Sequence, residues 1–322
     1  NNIFKTLNEG GVTGYPSGAS SFSNNTISNN KFDNLPGQVG TGYPNSGYGI
    51  AVLIYNNFYA DIEDNCMTNV RIGVQSGNYN LADPGSSRTI DNNTIGFNSV
   101  GIWHNLLYQN ASTFEITNND LTTSNNTTAS GLFISSIQNA VGVTVTGNDV
   151  TGAHAGIELW NNPTTNTVTV AGGAISNCVY GVFANNYDGY SSDAATSTVA
   201  ISGVTVTGAT TAGVYVKDNP SNSNNADVTL IVDNDCEING TGHLLTGILV
   251  EGPDAHATVQ NNDASINGFA IGIDVDGDAM HGYMSAYLDA QRGNFSKTCK
   301  IWVFAGVFLW ALGQHRVAVW VV

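Results

Sequence analysis

Charge is scarce in this chain: 11% of its 322 residues carry it, and only nine are lysine or arginine. Such a surface has little with which to hold a phosphate backbone. Its 25 acidic residues would repel one, so nucleic acid is excluded as a partner. Cysteine is scarce as well. Two of the four, Cys66 and Cys236, are read at like places six repeats apart, about 29 Å at ~4.8 Å per repeat, too far to bridge. Cys178 lies in a third repeat and Cys299 in the tail, so no disulfide is expected in the body and no redox compartment follows. Good helix formers are few while Thr, Val and Ile are frequent, which makes the chain β-rich. It has no initiator Met and no signal peptide, which reads as a fragment or a mature product.

Asn and Gly are abundant, at 42 and 37 residues. Low charge with so much Asn would suit disorder, but 41% hydrophobic residues placed periodically argue against it. Nine short apolar strands open on glycine, at Gly49, Gly73, Gly101, Gly131, Gly156, Gly181, Gly213, Gly247 and Gly272. Their separations run from 24 to 34 residues. An aliphatic residue follows each, and usually another two places on, as in Gly156-Ile157-Glu158-Leu159. Self-similarity at this period marks a solenoid of stacked coils. The expectation is an all-β solenoid of about nine rungs forming one body over residues 1–284, followed by a tail over 285–322.

A second signature precedes each glycine strand: an aliphatic residue or Phe, any residue, Asn/Asp/Gly, a small or polar residue, any residue, then usually another aliphatic. Copies start at Phe22, Ile62, Ile90, Ile116, Val145, Val170 and Ile201, with degraded ones at Val232 and Val259. Two strands flanking a tight bend explain it, since Asn and Gly tolerate left-handed backbone angles. Stacked at one place, Asn25, Asn65, Asn93, Asn119 and Asn148 are expected to form an internal amide ladder, the alternative being plain turn residues.

These repeats resemble those of the right-handed parallel β-helix proteins, the pectate-lyase-like superfamily, over most of residues 22–278. The resemblance implies right-handed winding. It leaves activity open, because that superfamily includes lyases, polygalacturonases, epimerases, phage tailspikes and surface proteins without known chemistry.

Alternation along the glycine strand divides it into two faces. Residues one and three after Gly form a core column in which His104 is the odd member, expected as a hydrogen-bonded inward histidine. Residues two and four after Gly face outwards. Trp103, Phe133, Phe183 and Tyr215 share one outer column with Glu158, and Trp160 and Lys217 lie in the next. Aromatic rows beside carboxylates suit pyranose rings, so these seven residues are the candidate polysaccharide or cell-surface glycan site. The competing reading makes the aromatics a satellite core beneath the loops. Glu158 is the candidate general acid, but glycoside hydrolysis needs a second carboxylate within roughly 5–10 Å, and Glu251 and Asp274 are three to four rungs away. The Asn-Thr-Asp, Asp-Asp, Gly-His-Gly and Arg-Ile-Lys motifs of polygalacturonases are absent, and the body's Arg71, Arg88 and Lys217 never fall in adjacent rungs to serve a lyase.

Glu251, Asp274, Asp276 and Asp278 form a candidate Ca²⁺ site, the alternative being a solvated acidic end of the solenoid. Paired threonines such as Thr144 and Thr146 resemble ice-binding faces, but Asp61, Glu115, Ala200 and Ile231 break their columns. After residue 300 the chain turns apolar and aromatic, and three readings compete for this tail: a cap on the open coil, a membrane anchor over 301–322, or sequence foreign to the natural product. The function expected is a secreted or cell-surface module for non-catalytic polysaccharide binding or adhesion. The alternatives are a lyase or glycoside hydrolase acting on an acidic polysaccharide, and a structural spacer.

Overall fold

Each repeat holds short strands with one apolar side, and stacking repeat upon repeat is the way to cover it. The computed structural model is accordingly a parallel β-solenoid, with no helix among the described residues. Those residues are 2–5, 10–14, 22–33, 49–55, 58–78, 88–108, 114–138, 143–160, 168–186, 197–218, 228–233, 236–252, 255–259, 265–276, 287–288 and 302–303.

A coil has three strands. The first strand belongs to a ten-stranded sheet in which Phe114–Thr117 pairs with Arg88–Asp91 on one side and Val143–Thr146 on the other. A bend follows, then a second strand such as Asp120–Thr122, a corner, and the glycine strand such as Ser130–Gln138. Second and glycine strands together make a 17-stranded sheet, and every pairing in both sheets is parallel. The inward side is dry: Ile102, Leu132, Ile134, Val182 and Val214 are fully buried and belong to one continuous core.

The bend does two jobs with adjacent residues. Asn29, Asp64, Asn92, Asn118, Gly147, Gly172 and Gly203 take the left-handed conformation, with φ between 53° and 65°. The residue after each of the first four, and after Gly147, is a buried asparagine: Asn30, Asn65, Asn93, Asn119 and Asn148. Each of the first four donates from its backbone N and from Nδ2 to Oδ1 of the next; Asn65 reaches Asn93 Oδ1 at 3.0 Å by both routes, and Asn119 reaches Asn148 at 3.0 and 2.8 Å. Nδ2 also donates backwards, from Asn93 to the Ile62 carbonyl at 2.9 Å and from Asn148 to that of Ile116 at 2.7 Å. Asn2 begins the series, bonding Asn30 Oδ1. The ladder stops where Gly173 follows Asn148, and there Asp149 Oδ1 instead accepts from the Ala174 backbone at 2.8 Å.

Three expectations are corrected at this level. Ile27, not Phe22, pairs with Ile62, so the first copy of the bend signature lies five residues later and Asn30 takes the ladder place assigned to Asn25. Asn25 donates elsewhere, to the Tyr59 carbonyl at 2.9 Å. Ile50 pairs with Ile72, so Ala51 rather than Gly49 stands level with Gly73; Gly49 is a left-handed turn residue (φ 78°) just before the strand. Finally, Glu237 rather than Cys236 stands level with Thr205, which leaves Cys236 buried at the ladder position while Cys66 is exposed one residue beyond it. Cys66, Cys178 and Cys236 form no disulfide.

The glycine column has a steric cause. A Cβ on Gly101, Gly131 or Gly156 would lie 2.6–2.7 Å from the carbonyl oxygen of the glycine in the following coil. At Gly131 and Gly156 it would also strike Val150 and Ile175, the inward residues of a neighbouring strand. His104 is inward and fully buried, as its column implies; its Nδ1 lies 2.6 Å from Ser76 Oγ and its ring stacks on Phe114 at 3.8 Å. In the tail, Tyr287–Leu288 and Trp302–Val303 each add a short parallel strand, beside Thr258–Val259 and Asp274–Val275. The other tail residues lie outside the described set.

Asn93→Ala removes the acceptor of two donors on Asn65, and its expected cost is about 2–4 kcal/mol in urea unfolding. Asn25→Ala is expected to cost about 1 kcal/mol, and equal losses would return the ladder to the register expected from sequence. Gly131→Ala is expected to cost about 1–3 kcal/mol from overpacking. Gly96→Ala, where a Cβ meets nothing closer than 3.7 Å, is expected to be close to neutral.

Candidate functional site

The outer face of the glycine strands carries all seven candidate glycan residues, and register alone sets their order. Trp103, Phe133, Glu158, Phe183 and Tyr215 follow one another across successive strands, with Leu249 and Asp274 continuing the column. Ser135, Trp160, Asn185, Lys217, Glu251 and Asp276 form the adjacent column.

This column is not an open aromatic platform. Trp103, Phe133 and Tyr215 are 5–7% exposed, while Phe183 and Trp160 are half-buried. The rings also spend their faces on one another: Trp103 on Phe133 at 6.0 Å and 23°, Phe183 on Tyr215 at 4.8 Å and 8°. A pyranose stacks on a ring face, and a self-stacked column offers edges. Trp103 and Phe133 join Ile50, Ile72 and Val100 in a second hydrophobic cluster outside the main core, with Leu53 and Trp160 against it. The satellite-core reading describes this half of the face.

The residues that sequence alternation missed sit immediately before the glycine. Ile72, Val100, Ser130 and Tyr180, with Ile50 level with them before Ala51, lie on the same outer side as the aromatic column, because the chain bends where the glycine has no side chain. Alternation counted from Gly onwards passes over this column; the only signal was a mostly apolar residue before each Gly. Two members matter. Ser130 donates a short hydrogen bond to Glu158 Oε2 from the preceding coil. Tyr180 meets Phe183 at 5.5 Å, Tyr215 at 5.0 Å and His154 edge-on at 5.2 Å.

Glu158 is therefore a carboxyl buried among rings, 9% exposed, with Phe133 and Phe183 as its register neighbours. Burial pushes its carboxyl above the usual carboxylate range, with bonds from Ser130 and the Trp160 side chain pulling the other way. Register gives it no carboxylate partner among the described residues: Glu251 stands three strands on. Lys217, two strands away, is committed to Glu251 at 3.5 Å with its ammonium 5.9 Å from the Tyr215 ring centre. Arg71 is fully buried, and that burial pushes its guanidinium down; the Arg88 side chain lies outside the described set.

Of the candidate calcium ligands, Asp276 pairs in register with Glu251, and Asp274 with Leu249. Their side chains, and Asp278 altogether, lie outside the described residues. Glu251 turns the other way: its Oε2 accepts the Tyr215 hydroxyl and its Oε1 meets Lys217. Burial first and the Glu251 contact second push the Tyr215 hydroxyl well above its ordinary value. Among the described residues no helix is long and apolar enough to cross a membrane.

No protein-family model matches this chain, and no curated protein matches it significantly.

Because the folded state holds the Glu158 proton more tightly than the unfolded chain, its contribution is complete below the ordinary glutamate range. That contribution is lost as pH rises through the elevated value. Urea midpoints from about pH 4 to about pH 8 are expected to fall for the parent protein relative to Glu158→Gln, and parallel profiles would show an ordinary carboxyl.

Proposed function

We propose that this chain is a secreted or surface-displayed, non-catalytic module whose work is to hold its loops at fixed spacing along a stiff axis. The observation that carries this reading is the aromatic column, whose rings stack on one another and are buried rather than laid open to a ligand. Rings spent in this way stiffen the outer wall of the coil as the asparagines stiffen its bend. The connections after the glycine strand vary in length from coil to coil, and the stretch 34–48 between Lys31–Asp33 and Ile50–Tyr55 adds a long connection at another corner. Right-handed winding and kinship with the pectate-lyase-like superfamily fit the left-handed residue placed before a stacked asparagine, together with the glycine column.

A lyase or hydrolase is the weaker reading. Its leading acid, Glu158, is bonded to Ser130 and flanked by phenylalanines, and Lys217 is tied to Glu251. Incubation with acidic and neutral polysaccharides, with and without Ca²⁺, is expected to yield neither unsaturated products at the ultraviolet absorbance of lyases nor new reducing ends. Product that forms with the parent protein and disappears in Glu158→Gln would overturn the non-catalytic reading.

A further inference from the structure

Beside the buried half of the outer face lies a small polar site that the scaffolding role does not use. Asn185 stands on the glycine strand Tyr180–Asn186, level with Trp160 in the coil before and with Lys217 in the coil after. Its side chain is 9% exposed, and its Oδ1 is buried with no hydrogen-bond partner. Leaving a buried acceptor unpaired costs about 1–3 kcal/mol, so such an atom calls for an explanation. Diagonally across from it, on Ala155–Trp160, the Glu158 carboxylate is equally buried. Glu158 is level with Phe183 and Asn185 with Trp160, so the two acceptors are offset by one strand and two residues, about 8 Å between Cα atoms. Ser130 and the Trp160 side chain fill two positions of the carboxylate, which can take about four hydrogen bonds. The half-exposed Trp160 indole forms the third side, meeting Phe133 edge to face at 4.9 Å and 83°.

We propose that Trp160, Glu158 and Asn185 form a subsite for one neutral hexopyranose unit of a polysaccharide. The chemistry of the set selects the ligand. Two buried acceptors ask for donors, and sugar hydroxyls supply them; one hydroxyl bonds Glu158 and another Asn185, while the C–H face of the ring lies against the indole. A uronate would set its own carboxylate beside Glu158, and the nearest described cation, Lys217, is engaged by Glu251. The whole body compounds this, since 25 acidic residues face five basic ones before residue 290. The subsite thus reverses the preference for acidic polysaccharides that a lyase would show. It stands independently of the scaffolding role: a stiff spacer can lack it, and a binder can have it.

The test is affinity electrophoresis and titration calorimetry of the whole chain against soluble β-glucan, mannan and galactan, with polygalacturonate and alginate as acidic counterparts. At least one neutral polymer is expected to bind, and the acidic ones are not. Asn185→Ala and Trp160→Ala are each expected to weaken that binding tenfold or more. Glu115→Ala, an exposed side chain on the ten-stranded sheet, is expected to leave it unchanged. Urea midpoints separate lost binding from lost folding, and Asn185→Ala is expected to keep the parent midpoint because its acceptor is already unpaired. Glu158→Gln, which keeps one acceptor oxygen, is expected to bind with intermediate strength. Binding of acidic polymers at equal strength, binding indifferent to Asn185 and Trp160, or no binding to any neutral polymer would each overturn the subsite.

Discussion

The structure depends on a hydrogen bond repeated from one asparagine to the next at the bends from Asn2 to Asn148. A parallel solenoid must turn its backbone inside the molecule, where unpaired amides are costly. Here the turn is made by a left-handed residue on the outside and a buried asparagine beside it, whose side chain supplies what the turn takes away. The same asparagine offers its backbone carbonyl to the next coil, so Asn65 accepts from Thr94 at 2.9 Å and Asn119 from Asp149 at 2.8 Å. The backbone N–H and carbonyl and the side-chain Oδ1 and Nδ2 of such an asparagine thus each have a partner one coil away, as at Asn65. This spacing, once fixed, brings first strands level with first strands and glycine level with glycine.

From that register the outer face follows without further choice. Side chains in successive coils stand one strand spacing apart, about 4.8 Å, which is close to the separation at which flat rings stack. Aromatic residues placed in one column will therefore stack on each other before they meet a ligand. Where the column changes to Glu158, the stack is interrupted and a carboxyl is held between two phenylalanines, with Ser130 reaching across to it. A polar residue in such a column is conspicuous for that reason, and the unpaired Asn185 next to it more so.

The fold was legible because periodicity reports on stacking directly: glycine recurs where a Cβ would strike the next coil's carbonyl, and aliphatic residues recur where the interior is dry. The first coils were misread because the signature is degenerate. Phe22 with Asn25 satisfies it as well as Ile27 with Asn30, and Gly49 precedes an aliphatic residue as the true column members do. Only pairing distinguishes them. The site was half legible. Trp103, Phe133, Glu158, Phe183 and Tyr215 do share a column, but alternation shows direction and not burial, so a satellite core and an open platform look alike in the sequence. Ser130 and Tyr180 were missed because the chain bends at the glycine, where the period of two is broken.

The asparagine ladder has a direction as well as a spacing. From Asn30 to Asn148 each side-chain carbonyl points back to donors in the coil before, and from Asn2 to Asn119 each amide reaches forward to the coil after. Six amide dipoles are thus aligned head to tail along the axis, and each polarises the next. The bend edge of the solenoid is therefore electrically polar. Its negative pole lies toward Asn2 and its positive pole at Asn148, where Gly173 ends the series. An α-helix places its positive pole at the amino-terminal end; this row of side chains sets the opposite field, in a chain that contains no helix among its described residues.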